Sequence, residues 1–347
     1  MNPEKFKKNI NGKKVELFVL ENSNRMQVFI SNYGARILSL KFPDKNRKLR
    51  DIVLGYSSID EHINGLPYYG AIIGRCANRI SKGRFKLDGK ECQLSQNIFP
   101  NHLHGGTKSF SHQVWELVEY SNTKLKLKYT SPHLEEGYPG ELTCVVSFQI
   151  TEKNELIIEM NAKTDRKTIV NLTSHPFFNL EGEDFPNVLN HQLKINADSY
   201  LSMSPDFVPE KKINLQSDSV FDFNNFKKIG KDIHTNHPQL ILAKGYDHNF
   251  ILNENDAKTT AASVYASKSG ISMDLYTNQP GIQFYTGNGL NGTDTGKTGN
   301  SYKKHAAFCL EPQHFPDSPN NPDFPLIELN PNEKYYHFTK FHFSNKY

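Results

Sequence analysis

The chain has 347 residues, with 41 basic and 37 acidic side chains and a formal net charge of +4. Charge this balanced and this dispersed gives no footing for nucleic acid or an anionic membrane, and 12% aromatic residues argue against a disordered chain. No apolar run approaches the roughly 18–20 residues a membrane-spanning helix needs, and the length suffices to bury about three-quarters of the surface of the unfolded chain.

The basic N-terminal stretch contains no apolar segment ahead of a cleavage site, so a cytoplasmic location is expected. The cysteines at 76, 92, 144 and 309 are far apart and form no CxxC pair. They read as reduced thiols packed like small hydrophobes.

In chain order, short apolar or alternating runs predict strands at residues 15–20, 26–31 and 37–42. Residues 58–63 read as a short helix, capped by Ser58 with Glu61 three positions on. The run Lys124-Leu125-Lys126-Leu127-Lys128-Tyr129 alternates polar and apolar without a slip, as a strand with one wet face and one core face does. Residues 144–150 and 155–160 read as a hairpin closed by Thr151-Glu152-Lys153-Asn154. Further strands are expected at 263–266, 271–276, 282–286 and in the aromatic-rich stretch 334–343, with loops at 181–191, 287–301 and 312–325. Many short strands punctuated by Gly and Pro predict an all-β antiparallel sandwich or barrel. No repeat or linker divides it, so residues 1–347 are expected to form one domain.

Five segments carry candidate chemistry: 74–80 (GRCANRI), 101–106 (NHLHGG), 171–180 (NLTSHPFFNL), 245–250 (GYDHNF) and 308–316 (FCLEPQHFP). Glu311 ends an apolar run, where desolvation would raise its pKa and make it a better general base; a strand-end carboxylate reaching solvent is the plainer alternative. His175 is held extended by Pro176 among apolar neighbours and could serve as a general acid; a hydrogen-bonded core histidine is the alternative. His104 precedes two glycines that would let a ligand approach. His102 and His104, two apart, could face one way and bind metal, but no third ligand at zinc spacing accompanies them, so no metal is expected. Asp247 and Arg79, with Asn78 beside it, read either as ligand contacts or as ordinary salt-bridge partners.

Other motifs fail on context. Gly287-Asn288-Gly289-Leu290-Asn291-Gly292 matches GxGxxG, but no periodic helix follows to hold a pyrophosphate. Gly296-Lys297-Thr298 lacks the first glycine of a P-loop. Asn171-Leu172-Thr173 and Asn291-Gly292-Thr293 match the glycosylation pattern, the first within what reads as a buried strand.

Taken together and in order, these segments resemble the aldose 1-epimerase (galactose mutarotase) family. The likeness is nearly full length and also includes the runs SNYGARILSL, NGLPYYGAIIGRCANRI, EEGYPGEL, QPGIQFYTGN and CLEPQHFPDSPN. The resemblance implies a large antiparallel β-sandwich and interconversion of the α and β anomers of free hexoses, without a cofactor. It implies that Glu311 is the general base at the C1 hydroxyl and His175 the general acid at the ring oxygen. Asn78, Arg79, His104, Asp247 and Gln283 would hold sugar oxygens. Phe177 stands where the family usually has Tyr, which bears on sugar preference. Residues 107–112 also depart from the family pattern, at what is expected to be a surface turn.

The partner implied is a small sugar, with no nucleic acid or membrane and a monomeric or weakly dimeric state. A non-catalytic sugar-binding module, a glycosidase using Glu311 with Asp247, and a phosphosugar epimerase are the competing functions. The last would gather several basic groups at the site, and Arg79 is the one the motifs supply.

Overall fold

The structure is a computed structural model that describes residues 1–66 and 68–345. Strands dominate, and three sheets share one apolar core. A nine-stranded antiparallel sheet contains the expected hairpin, Leu142–Ile150 with Glu155–Thr164, flanked by Lys124–Ser131 on one side and by the long C-terminal strand Tyr335–Asn345 on the other. A four-stranded sheet comprises Leu17–Glu21, Gln27–Ser31, Arg36–Pro43 and Leu49–Asp51. The third sheet has five strands: β1 (Ala197–Met203), β2 (Pro209–Asn214), β3 (Asp247–Leu252), β4 (Gly281–Tyr285) and β5 (Cys309–Gln313), in the order β2-β1-β3-β4-β5.

Period-two patterning explains the core. In Glu155–Thr164 the inward residues Leu156, Ile158 and Met160 are fully buried, and Leu125 and Leu127 of the neighbouring lysine-rich strand join them. The same cluster takes in Leu20, Val28 and Leu40 from the four-stranded sheet and Phe250, Ile282, Phe284 and Leu310 from the five-stranded sheet. The outward lysines of Lys124–Ser131 pair with the exposed edge strand Glu116–Tyr120, Lys126 with Glu119 at 2.7 Å and Lys128 with Glu116 at 3.0 Å. A charged edge of this kind discourages pairing with another chain.

The short helix Ile59–Asn64 forms as expected, with the Ser58 hydroxyl accepting from the Glu61 backbone N–H. A second one, Pro238–Ala243, has no counterpart in the sequence reading. None of the described helices is long and apolar enough to cross a membrane. Cys76, Cys144 and Cys309 are buried and Cys92 is half-buried, all unpaired.

One local expectation holds only in part. In the segment 107–112, Thr107 and Lys108 form an exposed turn, and the residues that follow go inward. Ser109, Phe110 and Ser111 are buried, with the Phe110 ring edge-on to Trp115 at 5.5 Å and to Tyr129 at 5.4 Å. An aromatic within reach of two core rings gains more by burial than a polar turn would by solvation.

Candidate active site

The five-stranded sheet builds one wall of a cavity of about 200 Å³. Cross-strand register places Asp247, Tyr285 and Cys309 in one row and Asn249, Gln283 and Glu311 in the next. Rows two residues apart share a face, so the two rows form one patch, while His248, Phe284 and Leu310 between them point into the core. Of this patch, Asp247, Gln283, Tyr285 and Glu311 line the cavity.

The opposite wall comes from the N-terminal half. The short strand Thr173–Ser174 pairs with Ile72–Ile73, and the His175 backbone then bonds both Ala71 O and Gly70 N at 3.0 Å. This fixes the imidazole at the cavity, where it stacks on Phe177 (4.8 Å, 15°) and Tyr68 (5.9 Å, 16°). Asn78 and His104 both adopt left-handed backbone, φ 62° and 52°, and are locked to each other. The His104 N–H donates to Asn78 O at 3.0 Å, and the Asn78 N–H donates to His104 Nδ1 at 3.1 Å. Gly105 and Gly106 continue with positive φ, and a side chain on Gly105 would collide with the Gly74 carbonyl. The two glycines are therefore required by the turn that presents His104. The Arg79 guanidinium lies over the Phe207 ring at 5.1 Å and lines the cavity beside Asn78.

All eight site residues expected from the sequence thus meet in one cavity: Asn78, Arg79, His104, His175, Phe177, Asp247, Gln283 and Glu311. Tyr68, Tyr285, Leu66, Leu103, Gly289 and Leu290 also line it and were not singled out. Two signals pointed to some of them. Tyr285 is two positions from Gln283 on one strand, hence on its face. Gly289 and Leu290 belong to the glycine-rich run, which is a wall of this cavity and not merely a connection.

The centre of the site is a pair. His175 Nε2 lies 3.4 Å from Glu311 Oε1, with both side chains almost wholly buried. Burial pushes the Glu311 carboxyl well above its ordinary value, and the neighbouring Asp247 carboxylate adds to the rise. Burial lowers the His175 imidazole to about 4. Both shifts disfavour charge. Between the two titrations the pair therefore holds a single proton. Moving it from carboxyl to imidazole creates a base on one side and an acid on the other without changing the net charge of the site. Asp247 is also raised by burial, offset by Arg79 and by the Gln283 amide, whose Nε2 donates to Asp247 Oδ1 at 2.7 Å.

His102 and His104, which could have faced one way, do not. His102 Nε2 bonds the Tyr138 hydroxyl at 2.7 Å and its Nδ1 meets Ser95 O at 2.7 Å, whereas His104 turns to the cavity. His104, His175 and Glu311 instead lie within 4.8 Å of one another, a spacing a cation could span. The hydrogen bonding opposes it. Because Nδ1 of His104 accepts from the Asn78 N–H, the neutral ring carries its proton on Nε2 and offers the cavity a donor, not a lone pair. Burial first, then nearby positive groups, hold His104 well below the usual imidazole range, so it stays in that neutral form.

The P-loop-like run and the first glycosylation pattern resolve as structure. Lys297 donates to Leu38 O at 3.0 Å and Val53 O at 2.8 Å and pairs with Asp51 at 2.7 Å, so it is committed to the fold and not to a phosphate. Asn171 is buried, and its side chain bonds both main-chain groups of His314, which leaves no room for a glycan. Arg75 serves five acceptors around Ser131 and Gly140 and does not reach the site.

A buried carboxyl–imidazole pair in a sugar-sized cavity is the equipment of isomerisation by proton transfer. Comparison with known proteins makes the class specific. The sequence model of the family described as "Aldose 1-epimerase" matches residues 16–342. Galactose mutarotase from Rattus norvegicus is 41% identical over 333 residues, covering 96% of this chain and 95% of that protein. The Homo sapiens galactose mutarotase matches at the same identity and coverage, and the Escherichia coli aldose 1-epimerase is 34% identical over 96% of each chain. Among solved structures, an aldose epimerase homologue from C. elegans superposes with a TM-score of 0.89 at 28% identity, covering 96% of this chain and all of that one. Galactose 1-epimerase from Lactobacillus acidophilus gives 0.85 at 26% identity, over 98% and 97%. The chain belongs to the aldose 1-epimerase family of isomerases.

Proposed function

We propose that the protein interconverts the α and β anomers of free hexoses such as galactose and glucose, with Glu311 as general base and His175 as general acid. Glu311 takes the proton of the C1 hydroxyl while His175 protonates the ring oxygen, the ring opens, and the C1–C2 bond turns. The same two groups, roles reversed, close the ring on the other face. The observation that carries this reading is the 3.4 Å His175–Glu311 contact inside a cavity small enough for one sugar. Sites for drug-sized ligands run to roughly 300–1,000 Å³. His104, a fixed Nε2–H donor, and Arg79 with Asn78 hold ring and hydroxyl oxygens. Asp247 and Gln283 hold further hydroxyls from the sheet side. Phe177, apolar and stacked on His175, fixes the imidazole plane. Positioned acid and base groups of this kind contribute about 10²–10⁴-fold each, and the chemistry calls for no cofactor.

The charge of the cavity favours a neutral sugar over a phosphosugar. Among the described residues lining it, Arg79 is the one Lys or Arg, set against the carboxyls of Asp247 and Glu311. A glycosidase would pair the two carboxyls, but Asp247 is tied to the Gln283 amide and the partner of Glu311 is His175. A binding module would have no use for a buried acid–base pair. The core shared by all three sheets supports a single domain over residues 1–347, and we assign the protein to the cytoplasm as a monomer or weak dimer without nucleic-acid partners. Polarimetry on freshly dissolved α-galactose, α-glucose and a hexose phosphate tests the function. Acceleration of the neutral sugars is expected. Sugar binding without acceleration, or acceleration confined to the phosphate, would overturn it.

A further inference from the structure

We infer that Tyr285 is a substrate-binding, specificity-determining residue whose phenol O–H donates to a sugar hydroxyl beside the one Asp247 accepts from. The inference deepens the epimerase reading and rests on it.

Tyr285 lies directly across from Asp247 in the β3–β4 register, on the face that carries Gln283 and Glu311. Directly opposed residues of antiparallel strands have Cβ atoms about 4.5–5.5 Å apart, close enough for the two side chains to address neighbouring hydroxyls of one pyranose. Both line the cavity.

The phenol oxygen accepts the Gly289 N–H at 2.7 Å. A phenol both accepts and donates, and none of the described residues takes its proton. With the lone pair fixed by the loop and the ring met edge-on by Phe177 at 6.1 Å and 90°, the free O–H is left for the cavity. Burial raises the phenol pKa further above its ordinary range, so the group is a donor at every working pH.

The neighbouring groups lack what Tyr285 has. Ionised Asp247 only accepts, and the Gln283 amide, which gives one of its two N–H groups to Asp247, is held to that partner. Asp247 accepts from one sugar hydroxyl, and Tyr285, on the adjacent strand, supplies the neighbouring hydroxyl with the donor that Asp247 cannot. A sugar without that hydroxyl would leave the half-buried phenol proton unpaired, which is how a hydrogen-bonding site rejects an analogue.

The plainer role for Tyr285 is as an anchor for the loop at Gly289, and the experiment separates the two. Calorimetric affinities of the full chain and of Tyr285→Phe are measured for galactose and its 2-, 3-, 4- and 6-deoxy analogues, with mutarotation rates alongside. Tyr285→Phe is expected to weaken galactose binding about tenfold, with a much smaller change in kcat. For one deoxy analogue the wild-type penalty should vanish in the variant, because the hydroxyl and its donor are two halves of one contact. A uniform loss across all five sugars would assign Tyr285 to loop anchoring and overturn the proposal, as would unchanged galactose affinity. Because binding is read without turnover, wild-type protein that binds galactose but does not accelerate mutarotation would defeat the epimerase reading while the coupling still decides on Tyr285.

Discussion

The nine-stranded and five-stranded sheets follow the same period-two rule and use it differently. In Glu155–Thr164 of the larger sheet, alternate residues are fully buried Leu156, Ile158 and Met160, and their neighbours Glu155, Ile157 and Glu159 are partly open to water. In β3, β4 and β5 of the smaller sheet both faces are covered. One carries Phe250, Ile282, Phe284 and Leu310 to the core. The other buries Asn249, Gln283, Glu311 and Gln313, each with at least one polar atom that no described residue satisfies. An unpaired buried polar group costs about 1–3 kcal/mol. The first sheet is built to be stable. The second gives up stability, and two of these groups, Gln283 and Glu311, line the cavity, where a ligand could bring their partners.

The contrast can be tested from its largest consequence downward. His175→Ala, on the site side, should slow catalysed mutarotation by about 10²–10⁴-fold while the thermal unfolding midpoint stays within a few degrees; polarimetry and circular dichroism read the two. Ile158→Ala, in the larger sheet, should do the reverse. A fully buried side chain is truncated, so denaturant unfolding should show a loss of about 2–5 kcal/mol with kcat of the folded fraction unchanged.

Mild acid should strike both sheets. Burial lowers His191 at the loop, His248 in β3 and His337 in the C-terminal strand to about 3, and His102 and His175 to about 4. Above the unfolded imidazole value near 6.5 both states are neutral and nothing is gained or lost. As pH falls below it the unfolded chain takes up protons that the folded chain refuses. Stability is therefore lost progressively from about pH 6.5 towards pH 4, by about 2 kcal/mol per imidazole at pH 5. Thermal melts across that interval check it, and His337→Gln should flatten the slope.

The smallest effect expected is a displacement. Asp247→Asn removes a negative charge that raises Glu311, so the pair should lose its proton at lower pH. The alkaline limb of the mutarotation pH–rate profile should move down, together with weaker sugar binding.

What could be read in the sequence follows the same division. Strands with one wet face announced themselves: Lys124–Ser131, the Leu142–Ile150 hairpin and the N-terminal strands all lie where alternation placed them. Strands with two buried faces did not. The run Asp247-His248-Asn249-Phe250 mixes polar residues on both faces, because His248 goes into the core and its neighbours take the opposite face, so alternation does not mark β3 as a strand. β5 was expected to give way to a loop at Pro312, yet its pairing with β4 continues to Gln313 opposite Gly281. Site residues spread from Asn78 to Glu311 share no spacing that could have grouped them; the resemblance grouped them, and the register of β3, β4 and β5 supplies the physical reason. Tyr285 is two residues after Gln283, hence on its face, but it lies within an ordinary apolar run that marks it as strand and nothing more.

The central claim is that Glu311, buried beside His175 in the cavity, supplies the base. Its most direct test is polarimetry of α-galactose with Glu311→Gln, which keeps the shape of the side chain and removes its basicity. The account predicts loss of nearly all catalysed mutarotation, with galactose still bound and the fold retained. A variant that turns over galactose at the wild-type rate would contradict it.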